Sequence, residues 1–254
     1  MDERAQELAR LIAASSRIVA FTGAGISTES GIPDFRSPGG IWDRYAPIDY
    51  GEFLRDPRAR RETWRRGLET YPVVAAAQPN RAHLALVELE RGGKLKAVIT
   101  QNIDGLHQKA GHAAERVIEL HGNAHGVRCL QCRAWYARQA IHARVIAREE
   151  MPGCEACGGM LKPTSVSFGE PMPFDELRRA EREARVSDLC LVIGSSLVVY
   201  PAAAVPRYAL EAAAKLAIVN ATQTDLDEAA SVVLRGRAGE LLPDIVEAAQ
   251  RLAC

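Results

Sequence analysis

Short apolar runs that stop abruptly at a glycine or a polar residue restrict this chain to a narrow set of folds. Ile18-Val19-Ala20-Phe21-Thr22 enters Gly23-Ala24-Gly25-Ile26-Ser27-Thr28, and Ala97-Val98-Ile99-Thr100 leads to Gln101-Asn102-Ile103-Asp104. Val117-Ile118-Glu119-Leu120 ends at His121, Leu189-Cys190-Leu191-Val192-Ile193 at Gly194-Ser195-Ser196, and Leu216-Ala217-Ile218-Val219 at Asn220. Continuous apolar runs of this length suit parallel strands covered on both faces. Helical patterns alternate with them at residues 3–14, at 80–91 behind an Asn80 cap, at 173–185 and at 238–252. Such alternation implies an α/β fold with a doubly wound, Rossmann-like parallel sheet.

Two stretches break the rhythm. Residues 31–79 are rich in Pro, Gly, Arg and aromatics, and residues 123–165 hold four of the six cysteines. Both are expected outside the sheet, as insertions that build a smaller domain over its C-terminal edge. With 254 residues, 47% of them hydrophobic, the chain has ample material for a core. Its 32 basic and 32 acidic side chains cancel. That argues against a general nucleic-acid or anionic-membrane binder, which needs a basic excess. No run reaches the ~20 apolar residues of a membrane span. Met1-Asp2-Glu3-Arg4 lacks the basic start and apolar run of a signal peptide, so a cytoplasmic protein is expected. No heptad seam is evident, and monomer is the expected state.

Cys129-x2-Cys132 and Cys154-x2-Cys157 form two knuckles with 21 residues between them. Each Cys-x-x-Cys turn aims two sulfurs at one point, and two turns complete a tetrahedron for structural Zn2+. Four thiolates leave no open position for catalysis. A redox dithiol would need one such pair at a helix start. His125 is a rival ligand near Cys129, but four cysteines already saturate a zinc.

A strand followed by Gly23-x-Gly25 at a helix start is how a sheet receives a pyrophosphate. Thr28 stands where a dehydrogenase has its third glycine, and no acidic residue closes a second strand ~20 residues on. The loop suggests a dinucleotide without hydride transfer. Polar residues at several strand ends mark the edge where doubly wound sheets bind ligands. Of the six histidines, His121 is the leading catalytic candidate, since Gly122 beside it lets a ligand approach.

Taken together, these segments resemble the sirtuin family of NAD-dependent protein-lysine deacylases. The resemblance rests on Gly23-Ala24-Gly25-Ile26-Ser27, Gly31-Ile32-Pro33-Asp34-Phe35-Arg36, Thr100-Gln101-Asn102-Ile103-Asp104-Gly105-Leu106-His107 and Leu120-His121-Gly122. It continues through both cysteine pairs, Phe168-Gly169-Glu170, Gly194-Ser195-Ser196 and Val219-Asn220. It implies NAD+ as co-substrate and an acylated lysine peptide as partner. Products would be nicotinamide, deacylated lysine and 2′-O-acyl-ADP-ribose. Gly23, Ala24, Gly25 and Thr28 would cradle the pyrophosphate. Gly194, Ser195, Ser196, Asn220, Thr222 and Ala238 would hold the adenosine half. Phe35 and Arg36 would close over the nicotinamide ribose, and Ile32, Asp34, Ile103 and Asp104 would form the nicotinamide pocket. Gln101 and Asn102 would order the ribose and a water, and His121 would be the general base. The peptide would add as a strand against Val166, Phe168 and Gly169 on one side and Leu197 and Val198 on the other. Residues 1–32, 80–122 and 166–254 would then form the NAD-binding domain, with 33–79 and 123–165 as the small domain.

Two departures concern the acyl group. None of the six tyrosines has Arg three residues later, the pair carried by succinyl- and malonyl-preferring relatives. The loop instead holds Thr63-Trp64-Arg65-Arg66, like the branch of mitochondrial lipoamidase-type sirtuins; Arg65 and Arg66 read as a solvated helix face. Ser167, small where many relatives are bulky, suggests a channel that accepts longer acyl chains. Mono-ADP-ribosyl transfer, NAD hydrolysis and non-catalytic binding are the alternatives on the same fold. Acyl-lysine dependence of nicotinamide release separates them.

Overall fold

The computed structural model describes residues 1–34, 40 and 45–253. Asp2 caps α1 (Glu3–Ala14) by accepting from the Ala5 N–H at 2.8 Å. β1 (Ile18–Thr22) follows. After it the chain makes two 3₁₀ turns, Ala24–Ile26 and Thr28–Ser30, where the glycine pattern led to the expectation of a helix start. The Gly25 N–H is committed to Gly194 O at 2.8 Å, and Gly31 at φ +83° ends the second turn. α2 (Tyr50–Arg55) and α3 (Pro57–Ala76) come next. Asn80 then starts α4 (Arg81–Arg91) with a capping box, its side chain accepting from the Ala82 N–H while the Asn80 N–H donates to His83 Nδ1.

β2 (Leu95–Thr100), α5 (Leu106–Ala110) and β3 (Val117–Glu119) complete one wing of the large sheet. β4 (Gly126–Cys129), β5 (Trp135–Ala137), α6 (Arg138–Ile146) and β6 (Leu161–Pro163) lie apart from it. α7 (Phe174–Arg185), β7 (Leu189–Ile193), α8 (Val205–Glu211), β8 (Lys215–Val219), β9 (Val232–Leu234) and α9 (Ala238–Ala253) build the other wing. The six parallel strands run in the order β3-β2-β1-β7-β8-β9. The chain leaves β1 toward β2 and later returns to its other side at β7. The crevice between β1 and β7 is therefore the topological switch point.

Both faces of this sheet are covered, as the apolar runs require. Ile18 and Ala20 face a core shared with Leu8 and Ile12 of α1, Leu86 of α4 and Leu242 of α9. Val19 and Phe21 face the opposite core with Ala180 of α7 and Val205 of α8. Each fully buried aliphatic contributes about 1.5–3 kcal/mol.

The register then sets the site. Thr22 pairs with Thr100 and Ile193, Thr100 with Glu119, Ile193 with Val219, and Val219 with Leu234. All strands thus end at one level, and the residues just beyond them share one edge.

A three-stranded antiparallel sheet, β5-β4-β6, stands beside that edge. Trp64 of α3 is buried with Val127, Ile141 and Leu161, so residues from both insertions share a core. Cys129 is the last residue of β4 rather than a loop residue, because its backbone pairs with Leu161.

Candidate active site

Glycines let the first loop approach the sheet edge closely. A Cβ on Gly25 would stand 2.7 Å from Gly194 Cα, and Gly194, at φ +61°, would place one 2.3 Å from the Ile26 nitrogen. Any larger residue would push the loops after β1 and β7 apart. Ala24, between Gly23 and Gly25, lines a cavity of about 330 Å³. The Thr28 hydroxyl donates back to Gly25 O at 3.0 Å and so stiffens the same loop.

Behind it lies a buried polar cluster. Ser27 Oγ donates to Asp104 Oδ2 at 2.7 Å, and Asn102 Nδ2 donates to Ser27 Oγ and to Gly23 O, both at 3.1 Å. A carbonyl only accepts, so the amide nitrogen of Asn102 must face Gly23. Its Oδ1 remains as the acceptor available to a ligand. Asp104 Oδ1 accepts from the Leu106 N–H at 2.9 Å. Thr100 Oγ1 receives the Asn102 N–H at 3.0 Å and bonds Thr22 Oγ1 at 2.8 Å. The loop after β2 is thus fixed at several points.

His121 Nδ1 lies 3.0 Å from Gln101 O. That carbonyl requires Nδ1 to carry the proton, which leaves Nε2 as a basic lone pair. Burial lowers the imidazole below its ordinary value, while the hydrogen bond to Gln101 partly opposes the shift. The ring is therefore neutral at pH 7. Gln101 Nε2 donates to Ser195 Oγ at 2.8 Å, joining the loops after β2 and β7. His125 is turned away from the cysteines, with Nε2 bonded to Asp104 O at 2.7 Å.

Beyond β8, Asn220 Nδ2 donates to Thr222 O at 2.9 Å. Ala238 opens α9, whose next N–H, on Gly239, donates to Glu29 Oε2 at 2.7 Å. Ser196 is half-buried beside Ser195, and Asp34 half-buried beside Pro33. Phe35 and Arg36 lie outside the described residues.

Two lips flank the cleft. On one, the Val166 N–H donates to His121 O at 2.8 Å, and the Tyr50 N–H to Phe168 O at 2.8 Å. Lys162 ties this lip down through Glu170 at 2.8 Å. Gly169, at φ +75°, passes so near Asp49 that a Cβ would come 2.4 Å from its Oδ2. On the other lip Leu197 is buried while Val198 and Tyr200 are exposed, facing solvent as Phe168 does. Beside the first lip the same cavity of about 330 Å³ touches Ile32, Asn102, Ile103, Asp104 and Ser167.

The four paired cysteines converge, with Sγ atoms all within 4.8 Å of one another. Cys129 to Cys157 is 3.6 Å and Cys132 to Cys154 is 3.5 Å. A disulfide needs about 2.05 Å. Thiolates ~2.3 Å from a tetrahedral zinc stand roughly 3.8 Å apart. The cluster therefore fits a structural zinc, set away from the cavity.

The glycine loop, the His121 and Gln101 pair, and the four thiols occur together along the match to the Sir2 family model, which spans residues 23–201. The chain belongs to the Sir2 family. It is 49% identical over 245 residues to an NAD-dependent protein deacetylase of Thermodesulfovibrio yellowstonii, covering 96% of this chain and 95% of that protein. It is 44% identical to NAD-dependent protein deacylase 2 of Pyrobaculum aerophilum, over 96% and 95% of the two chains. A solved Sir2 enzyme with deacetylated p53 peptide and 3′-O-acetyl-ADP-ribose superposes with TM-score 0.89 at 39% identity, over 95% and 97% of the chains. A second, with p53 peptide and NAD+, gives 0.86 at 38% identity, over 95% and 96%.

Within this Sir2 site Ser27 is unmarked by local sequence pattern: Thr28 stands at the third-glycine position, and no periodicity signals the 3₁₀ turn that aims Ser27 inward. Arg138, which lines the cavity from α6, is equally unmarked.

Proposed function

We propose that this Sir2 protein is an NAD-dependent protein-lysine deacylase, with His121 as the base that carries the reaction to completion. The observation that carries this reading is the forced tautomer: Gln101 O holds the Nδ1 proton, and burial keeps the ring neutral. NAD+ supplies a ribose carbon from which nicotinamide leaves when bound. Gly23, Ala24 and Gly25 take the pyrophosphate, with Thr28 bracing the loop. Gly194, Ser195, Ser196, Asn220, Thr222 and Ala238 take the adenosine half. Ile32, Asp34, Ile103 and Asp104 hold nicotinamide, and Phe35 and Arg36 close over its ribose.

Asn102 presents Oδ1 to a water or a ribose hydroxyl, since its Nδ2 protons are already committed. His121 Nε2 accepts a proton from a ribose hydroxyl. Positioning of two weak reactants in line supplies ~7–11 kcal/mol of the barrier reduction, and a placed base adds about 10²–10⁴-fold. The acyl-lysine peptide inserts as a strand between Val166, Phe168 and Gly169 and Leu197 and Val198. The exposed apolar faces of Phe168 and Val198 support this docking. Zinc on Cys129, Cys132, Cys154 and Cys157 holds the ribbon in place.

The NAD-binding unit comprises residues 1–32, 80–122 and 166–254, with 33–79 and 123–165 as the small domain. The protein works as a monomer without nucleic acid, in keeping with its balanced charge. None of its described helices is long and apolar enough to cross a membrane. A reducing cytoplasm suits its thiol cluster.

Product analysis by mass spectrometry tests the reaction. Equal yields of nicotinamide, deacylated peptide and 2′-O-acyl-ADP-ribose, with the 3′ ester growing in by migration between vicinal hydroxyls, are expected. Free ADP-ribose formed without peptide would establish a hydrolase instead, and ADP-ribosylated protein a transferase.

A further inference from the structure

The cavity beside Ser165 and Ser167 reaches a charged group that the reaction does not use. Arg138 opens α6 and is 5% exposed. Its guanidinium lies 4.7 Å from the centroid of Trp64 and 5.4 Å from that of Tyr71. Trp64, Gly67 and Tyr71 share one face of α3, three and four residues apart. A Cβ on Gly67 would stand 2.2 Å from Arg138 Nη2, so that glycine makes the room. A mid-helix glycine costs about 0.5–1 kcal/mol, and α3 bears it where the arginine lies.

Arg138 Nη1 is buried and has no hydrogen-bond partner among the described residues. Burial lowers the guanidinium to about 10, and only the neighbouring Tyr71 opposes that shift. His142, packed on Tyr71, is held below its ordinary value by burial and by the Arg138 charge. Leaving a charged donor buried and unmet is costly. The neighbouring arginines are different. Arg65 pairs with Glu62 and Glu69, and Arg66 with Glu62 and Ala46 O. Among the described residues of this wall, Arg138 is the cation without a counter-ion, and the same cavity touches Asn102, Asp104 and Ser167.

We propose that this end of the cavity receives the far end of a lysine acyl group bearing a terminal carboxylate, which accepts from Arg138 Nη1. The proposal rests on the deacylase reading above. The methylene chain lies among Ile103, Tyr71 and Val74, which line the same space. The carboxylate then meets a desolvated donor, where a charge-assisted bond is strongest.

The test compares the full protein with NAD+ on one peptide carrying acetyl, butyryl, succinyl, pentanoyl or glutaryl lysine. The acid of each matched pair, glutaryl over pentanoyl and succinyl over butyryl, should show kcat/KM roughly tenfold higher or more in at least one pair. In Arg138→Met that ratio should fall to about one or below, whatever the variant's overall rate, and Arg138→Lys should recover part of it. Acetyl turnover with no acid preference in the wild type overturns this proposal alone, even if neither variant folds. A preference that survives in Arg138→Met overturns the role given to Arg138. Turnover of no acylated peptide overturns the deacylase reading and this proposal with it.

Discussion

The Ser27 hydroxyl donates to Asp104 at 2.7 Å while accepting from Asn102 at 3.1 Å, so one small side chain couples the loop after β1 to the loop after β2. Both partners sit where the nicotinamide end of NAD+ is proposed to bind. Ser27→Ala leaves Asp104 Oδ2 and one Asn102 proton without that partner. Hydrogen bonds to charged groups are worth ~1.5–3 kcal/mol, so kcat/KM should fall by roughly 10–100-fold. Steady-state kinetics check this, with circular dichroism confirming an unchanged fold; wild-type kinetics in the variant would contradict the coupling.

The pH dependence follows from His121. Burial lowers its pKa below the ordinary 6.5. The base form is lost only when pH falls through that lowered value, so activity should persist through neutral pH and decline on the acid side of 6.5. A kcat/KM profile for the free enzyme measures this limb. A limb centred above 6.5 would mean that the ring is stabilised as the cation.

The strand ends were legible because Thr22, Thr100, Ile193 and Val219 each close an apolar run, and parallel register brings such ends to one level. Asn80 and the cysteine spacing were equally readable, being local chemistry. A helix face at Arg65 and Arg66 was readable but the length of α3 was not: Pro72 interrupts its pattern, and its buried face packs a guanidinium rather than a run of aliphatics. β9, three residues long, is too short to show periodicity. Ser27 and Arg138 matter through partners about 75 residues away in sequence, which no local pattern encodes.

Three histidines pack in the core behind the site, with His107 ring centroids 5.0 Å from His83 and 5.5 Å from His112. Burial lowers His83 to about 4, moves His107 well down, and lowers His112 against the opposing pull of Glu90. These groups are neutral when folded and free to protonate near 6.5 when unfolded. Stability is therefore full above about 6.5, and it is lost as pH falls toward the folded values. By pH 5, His83 alone should cost about 2 kcal/mol. Urea midpoints at pH 7 and 5 measure the loss, and His83→Gln should reduce it; a pH-independent midpoint would contradict the linkage.

Zinc removal should act locally. The ribbon's own core is small, centred on Trp64, Val127, Ile141 and Leu161, whereas the parallel sheet has two larger cores of its own. A chelator should strip amide-exchange protection from β4 to β6 while β1 and β7 stay protected. Turnover should fall as well, because Lys162 of β6 anchors the Glu170 lip. Loss of protection in the parallel strands at the same rate would show that the two sheets unfold together.

In the proposed mechanism His121 completes a reaction that only an acyl-lysine peptide can start. Nicotinamide release from NAD+, followed with and without acetyl-lysine peptide in wild type and His121→Ala, tests it most directly. Release should require peptide and fall by about 10²-fold or more in the variant. Release that is indifferent to peptide, or a His121→Ala protein that deacylates at the wild-type rate, would contradict it.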